Sequence, residues 1–221
     1  KRENKMEKFF NLDNPFYGAI SKAVDAIYLS ILWFVCCIPI ITVGDATTAL
    51  YYTINKTLKN DRGHLTTEFF RAFKSNFKQS TFMWLIFLCI YAFLGIDYHI
   101  MKMYAQEGVA IGQFYGVFLV IAVIIIMWGF YVFPYIARFE NTTKNVLKNT
   151  AIIAISNVQW TILMFVLFLV MWIAVYVFVP IVFVMPVLYN YLKSIIIEKV
   201  FKKYMTKEQI EREEERNRIN L

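Results

Sequence analysis

The charged residues of this chain are sorted away from its long apolar runs. Leu119 to Phe133 carries no charge, and neither does Ile162 to Tyr189, in a chain of 221 residues that is 59% hydrophobic. A helix needs roughly 20 apolar residues to cross a hydrocarbon core about 30 Å thick, so such stretches predict membrane-spanning helices. The apolar residues come in blocks rather than as one-face stripes, which is not the pattern of a soluble domain. The expected fold is all-α. It is a polytopic transmembrane bundle of five to six membrane helices, forming a single membrane domain over residues 1–221, with amphipathic helices on the cytoplasmic side.

The net charge of +7 belongs to the flanks of these runs, where basic residues set topology and meet anionic lipid. Membrane lipid is therefore the expected partner and nucleic acid is not. The three cysteines, Cys36, Cys37 and Cys89, all lie within apolar runs. There they read as small hydrophobes, with no disulfide framework and no metal site. The first apolar run starts near Ala26, well after the basic Lys1, Arg2, Lys5 and Lys8, and no small-residue cleavage site follows it. It reads as a retained span rather than a signal peptide.

Along the chain, the predicted spans are about Val24–Val43, Ser80–Met101 and Gln113–Ile136, followed by two more within Ala151–Ile197, hinged near Pro180. Between the first two lies Ala46–Leu58, apolar but studded with threonines and too short for a clean span. A loop is expected at Asn60–Gly63. An amphipathic helix should follow, with Phe69, Phe70, Phe73 and Phe77 on one face and Arg71, Lys74 and Lys78 on the others. Phe73-Lys74 and Phe77-Lys78 before one span echo Thr143-Lys144 and Leu147-Lys148 before another. Ordinary interfacial anchoring is the expected explanation of both, with a duplicated cytoplasmic coupling element as the alternative. Segment 1–15 and the charged tail 199–221 are read as cytoplasmic. In the tail, Glu208–Arg212 and Glu214–Arg218 favour a helix.

Of the 23 basic residues, five fall in 1–25, six in 44–80, one in 97–112, three in 138–150, one (Lys193) in the last span, and seven beyond it. The 97–112 connection is thus placed outside and the others inside. One ambiguity remains. Either Ala46–Leu58 returns through the membrane as a short helix buried by its neighbours, or residue 1 lies outside and five spans suffice. The first is the expectation.

Little in the chain carries chemistry. Asp25 and Lys193 sit near the inner boundary, where they can snorkel or meet water. Asp97 and His99 sit near the outer one. His64 and His99 fall on opposite sides, so histidine-based metal binding is not expected. Gly44-Asp45 is half of an intramembrane aspartyl motif without a second aspartate to share a proton. Zinc, phosphate-loop and serine–histidine signatures are all missing. No catalytic, cofactor-binding or metal residues are expected, and the chain reads as a non-enzyme. The span-end aromatics, Tyr131 and Tyr189 among them, read as interfacial belts.

Three segments carry a family resemblance. Pro39–Tyr52 (PIITVGDATTALYY), Phe69–Thr81 (FFRAFKSNFKQST) and Met185–Tyr204 (MPVLYNYLKSIIIEKVFKKY) resemble the YesL family of bacterial membrane proteins. That family shows a Pro-Ile-x-Thr-x-Gly-Pro-Ala-Thr-Thr-Ala-Leu-Tyr-Tyr stretch, and here Asp45 stands where it often has proline. Either residue suits the first turn of a helix, and aspartate can also cap it. On these motifs, Pro39, Thr42, Gly44, Asp45, Thr47, Thr48, Tyr51, Phe73, Lys74, Phe77, Lys78, Pro186 and Tyr189 are the candidate structural or interaction residues. The resemblance implies a multi-pass protein of the bacterial plasma membrane. It further implies a non-enzymatic accessory role beside carbohydrate ABC importers, with permease subunits as partners. Two alternatives stand beside it. One is a small-solute transporter or channel lined by Thr47, Thr48, Asn55, Asn157, Gln159 and Asn190. The other is a sensor or scaffold acting through Thr206–Leu221.

Overall fold

A computed structural model describes residues 15–60, 62–205 and 211. Seven α-helices are described: α1 Pro15–Cys37, α2 Val43–Thr53, α3 Leu65–Gln106, α4 Tyr115–Arg138, α5 Thr143–Ser156, α6 Val158–Val177 and α7 Met185–Phe201. Among the described residues there is no strand, so the fold is an all-α bundle. Four of the helices are long and apolar enough to cross a membrane, within Ile20–Cys37, Leu65–Gln106, Ala110–Arg138 and Val158–Val177. The tail pairs Glu208–Arg212 and Glu214–Arg218, segment 1–14 and Asp61 lie outside the described residues.

Among the described residues four helices qualify by length and composition alone, because the backbone breaks within the other apolar runs. The Ala151–Ile197 run does not begin a span at Ala151. Asn157 interrupts it between α5 and α6, its Nδ2 donating to Ile153 O (3.0 Å) and to the Tyr204 hydroxyl (2.8 Å). The hinge near Pro180 is present as a short 3-10 turn over Val179–Phe183. Beyond it, α7 has 17 residues and carries Asn190, Lys193, Ser194 and Glu198, too short and polar to qualify alone.

A second difference concerns the amphipathic helix before the Ser80 span. It is not a separate element. α3 runs unbroken for 42 residues, about 63 Å at 1.5 Å per residue. No proline interrupts Leu65–Gln106, and its one glycine, Gly95, has no neighbouring atom within 4 Å of a built Cβ. The predicted aromatic face is therefore an extension of a membrane helix. Its Phe69, Phe73 and Phe77 rings follow one another with centroids 6.2 and 5.8 Å apart.

The segment left ambiguous by charge counting is α2 plus a wide π-type turn over Ile54–Leu58. It is buried around nearly its whole circumference, with Gly44, Asp45, Ala46, Thr48, Ala49, Leu50, Tyr51 and Thr53 all inside. Its direction can be read from its contacts. Thr48 shares a hydrogen bond with Ser80 (2.9 Å), while Leu50, Ile54 and Leu58 pack with Phe69 and Ala72, so α2 runs antiparallel to α3. Trp33 donates to Thr47 (3.4 Å), and Leu29 packs with Leu50 and Ile54, so α2 is also antiparallel to α1. Helix α1 therefore runs in the same sense as α3. Tyr28 meets Thr66 (2.8 Å) at one end, and Trp84 Nε1 donates to Ile40 O (2.6 Å) at the other. The start of α1 and the turn after Leu58 lie at the same end of this three-helix unit, as the short-return solution requires.

Gly44 sets the closeness of α2 to its neighbours. A Cβ there would lie 2.6 Å from Trp84 Cβ, 2.7 Å from the Phe133 ring and 2.8 Å from Ser80 O. Small residues let membrane helices approach this closely, and packing rather than the hydrophobic effect holds them in lipid. α4 returns along the outer part of α3, with Tyr98 against Tyr115 (5.8 Å) and Phe87 against Phe133 (6.2 Å). Pro134 sits inside α4 without ending it. The buried rings of Phe130 and Tyr189, with the half-buried Phe168, join α4, α6 and α7.

Gly44→Ala should lower the melting temperature in detergent, by an overpacking cost of about 1–3 kcal/mol. Gly95→Ala, which meets open space, should leave it unchanged or slightly raised. Equal melting of the two variants would contradict this packing.

Candidate functional site

The polar side chains of α2 fall into two rows by helical spacing. Tyr51, Asn55 and Lys59 form one row and face α7. Tyr52 and Lys56 form the other and face α3. The wide turn over Ile54–Leu58 aims the last members, with Lys59 N donating to Ile54 O (3.0 Å) across five residues.

In the first row the buried Tyr51 hydroxyl donates to Glu198 Oε1 (2.7 Å). Glu198 Oε2 also meets Arg138 Nη1 (2.5 Å), each side chain being about one-fifth exposed. Asn55 Nδ2 donates to Tyr51 O (3.2 Å). Lys59 Nζ donates to Ser194 Oγ (2.5 Å) and lies 5.0 Å from the Tyr191 ring centre. Burial pulls the Lys59 ammonium below the ordinary lysine value, and Glu198 partly opposes that. In the second row Glu68, 6% exposed, binds Lys56 (2.8 Å) and Arg71. Arg71 and Lys56 both donate to the Tyr52 hydroxyl (3.0 and 3.3 Å). The result is a polar seam tying α2 to α3, α4 and α7.

The candidate residues are not gathered at one point. Pro39 is exposed in the turn after α1 and accepts a bond from Thr42 Oγ1 (2.7 Å), which also donates to Cys36 O (2.6 Å). Gly44 makes the close approach already described. Asp45 does not cap α2 by hydrogen bonding as expected, since both its buried carboxylate oxygens are without a partner. Its place in the first turn still suits the helix dipole. Thr47 and Thr48 donate back to Val43 O and Gly44 O (2.7 and 2.9 Å). Of the second segment, Phe73 is half-buried, while Lys74, Phe77 and Lys78 are exposed. In the third, the buried Pro186 gives its carbonyl to Asn190 Nδ2 (2.8 Å), and Tyr189 is a core residue. Only Tyr51 joins the seam.

Three other expectations change. Lys193 does not reach water. It is 3% exposed and lies over the Tyr189 ring at 5.2 Å, one helical turn away. Tyr131 and Tyr189 are core residues rather than belt residues, and Tyr131 bonds Thr161 (3.0 Å). The polar lining of a channel is not assembled. Thr47, Thr48, Asn55, Asn157 and Asn190 each donate to the carbonyl four residues back. A cavity of about 360 Å³ between α4 and α5 is instead lined by apolar residues such as Trp128, Ile155 and Val158.

Arg138, Glu198, Glu68, Lys56 and Lys59 were not singled out from the sequence. The usable signal was a base closing an uncharged run at Arg138 and an acid, Glu198, set between Lys193 and Lys199 after the last uncharged run. Among the described residues no group of three or more His, Cys, Asp or Glu could hold a metal ion.

The model of a family described as "Protein of unknown function, DUF624" matches residues 26–98. This third of the chain covers the second half of α1, all of α2 and most of α3. No curated protein and no solved structure matches the chain.

Removing one partner strands the other in a poorly hydrated place. Glu198→Met and Arg138→Met should each destabilise the fold. The double variant should lose less than the sum of the two, by about 1 kcal/mol or more, read from detergent melting curves as a double-mutant cycle. Strict additivity would remove the seam from the account.

Proposed function

We propose that the chain is a non-enzymatic accessory subunit of a larger membrane complex, docking through the inner extension of α3. The observation that carries this is the continuity of α3. Its first turns extend the apolar helix without a break and hold Phe70 (38% exposed) and Phe77 (41% exposed) outward beside Arg71, Lys74 and Lys78. A rigid aromatic and basic face suits a protein surface, since aromatic and arginine side chains dominate interface energetics. The seam supports the same reading, because its ionisable side chains bind one another and tie the extension down.

The resemblance to the YesL family narrows the partner. It points to the bacterial plasma membrane and to permease subunits of a carbohydrate ABC importer. The family model of unknown function over residues 26–98 is compatible with that name and carries no activity.

Tagged chain extracted in mild detergent should bring down transporter permeases. A Lys74→Glu, Phe77→Asp, Lys78→Glu variant should lose them while melting like wild type. Recovery of the wild-type chain alone in several mild detergents would overturn the proposal.

A further inference from the structure

The apolar cavity of about 360 Å³ between α4 and α5 extends to the start of α6. Ile124 and Trp128 line it from α4, Ala151 and Ile155 from α5, and Val158 and Thr161 from α6. The polar atoms of this wall are already engaged. Trp128 Nε1 donates to Thr150 Oγ1 (3.0 Å), and Thr161 Oγ1 donates to Ala154 O (3.1 Å). The wall therefore suits hydrocarbon and offers nothing to a polar solute. An apolar cavity of roughly 150 Å³ takes up benzene. One more than twice that size has room for a length of flexible chain. We propose that this groove holds one acyl chain of an anionic phospholipid whose phosphate rests on Lys144 and Lys148.

The level of the groove favours a lipid chain. Asn149 Nδ2 donates to the Tyr135 hydroxyl (2.9 Å), and Ala151 and Ile155 share the groove with Ile124, so α5 runs antiparallel to α4. The groove thus lies beside the middle of the Ala110–Arg138 candidate span. Ile124, Ile155 (74% exposed) and Val158 are exposed at its rim, so it opens on the outer surface of the bundle. Lys144, Lys148, Ala151 and Ile155 follow one another at helical spacing on one face of α5. Lys148 is one turn from the groove, and Lys144 stands about 17 Å from Ile155 along the helix axis. Both lysines are exposed at the Tyr135–Arg138 end of the span, where a headgroup sits. Among the described residues neither lysine is in an ion pair. The nearest acid in sequence, Glu140, is exposed in the non-helical connection before α5. Lipid tails are as apolar as the groove, so the chain itself gains only packing. Choice between lipids then falls to the two charges. Charge counting places 138–150 inside, and the cytoplasmic leaflet is the one that carries anionic lipid. This site shares no residue with the docking face on α3.

The test places the full chain in phosphatidylcholine vesicles that carry a trace of probe lipid. The probe is phosphatidylglycerol or phosphatidylcholine with a photoreactive group in mid-chain, and crosslinked peptides are identified by mass spectrometry. Phosphatidylglycerol should label 124–128 and 151–158 in excess over phosphatidylcholine. A Lys144→Gln, Lys148→Gln variant should cut that excess about tenfold or more, or about 1.4 kcal/mol, from two basic residues at the membrane surface. Its melting should stay as in wild type, since both side chains are exposed. Ala151→Phe fills the groove and should remove the label there with both lysines kept. Lys102→Gln, near the far end of α3, should change nothing. Equal labelling by the two probes, labelling insensitive to both lysines, or label persisting in Ala151→Phe would overturn the proposal. Displacement of the probe by glycerol phosphate would assign the lysines to a free phosphate and overturn the lipid reading.

Discussion

Within a bilayer a polar group left without a partner costs several kcal/mol, because no water is present to serve it. Helix α2 is the element that this constraint governs. It is short, it carries three threonines, and its only viable place is between larger helices. There Gly44 lets Trp84 and Phe133 come close. Thr47, Thr48 and Thr53 return their hydroxyls to the helix's own carbonyls. Tyr51 and Lys59 reach across to α7. The same seam fixes α7, which is too polar to hold itself in lipid.

That arrangement has a consequence for α3. A free helical extension of about 15 residues would fray or pivot, since isolated helices of that length are marginal in water. Here Phe69 and Ala72 pack into the α1–α2 cluster, and Glu68 is clamped by Lys56 and Arg71. The extension is thereby stiff enough to present Phe70, Phe77, Lys74 and Lys78 as one surface. Such a stiff surface is what the proposed docking role requires.

The bundle and the break near Pro180 were legible in the sequence because hydropathy over some 20 residues is a strong signal. The return of α2 was legible as one of two solutions; the packing of Thr48 on Ser80, with Ile54 and Leu58 beside Phe69 and Ala72, gives the direction. The continuity of α3 was hidden by a change of composition at Ser80 that the backbone does not follow. The seam was hidden for a different reason. Tyr51, Arg138 and Glu198 are separated by up to 147 residues, and pairing at that range depends on which helices become neighbours. The wide turn over Ile54–Leu58, which aims Lys59, leaves no signature in residue type.

The central claim is that α1 and α3 run the same way with α2 folded back between them. Single cysteines at Ser21, Asn60 and Glu107, in a background with Cys36, Cys37 and Cys89 changed to serine, can be labelled in intact vesicles with a membrane-impermeant maleimide. Positions 21 and 60 should react from one side and position 107 from the other. Reaction of 21 and 60 from opposite sides would contradict the fold.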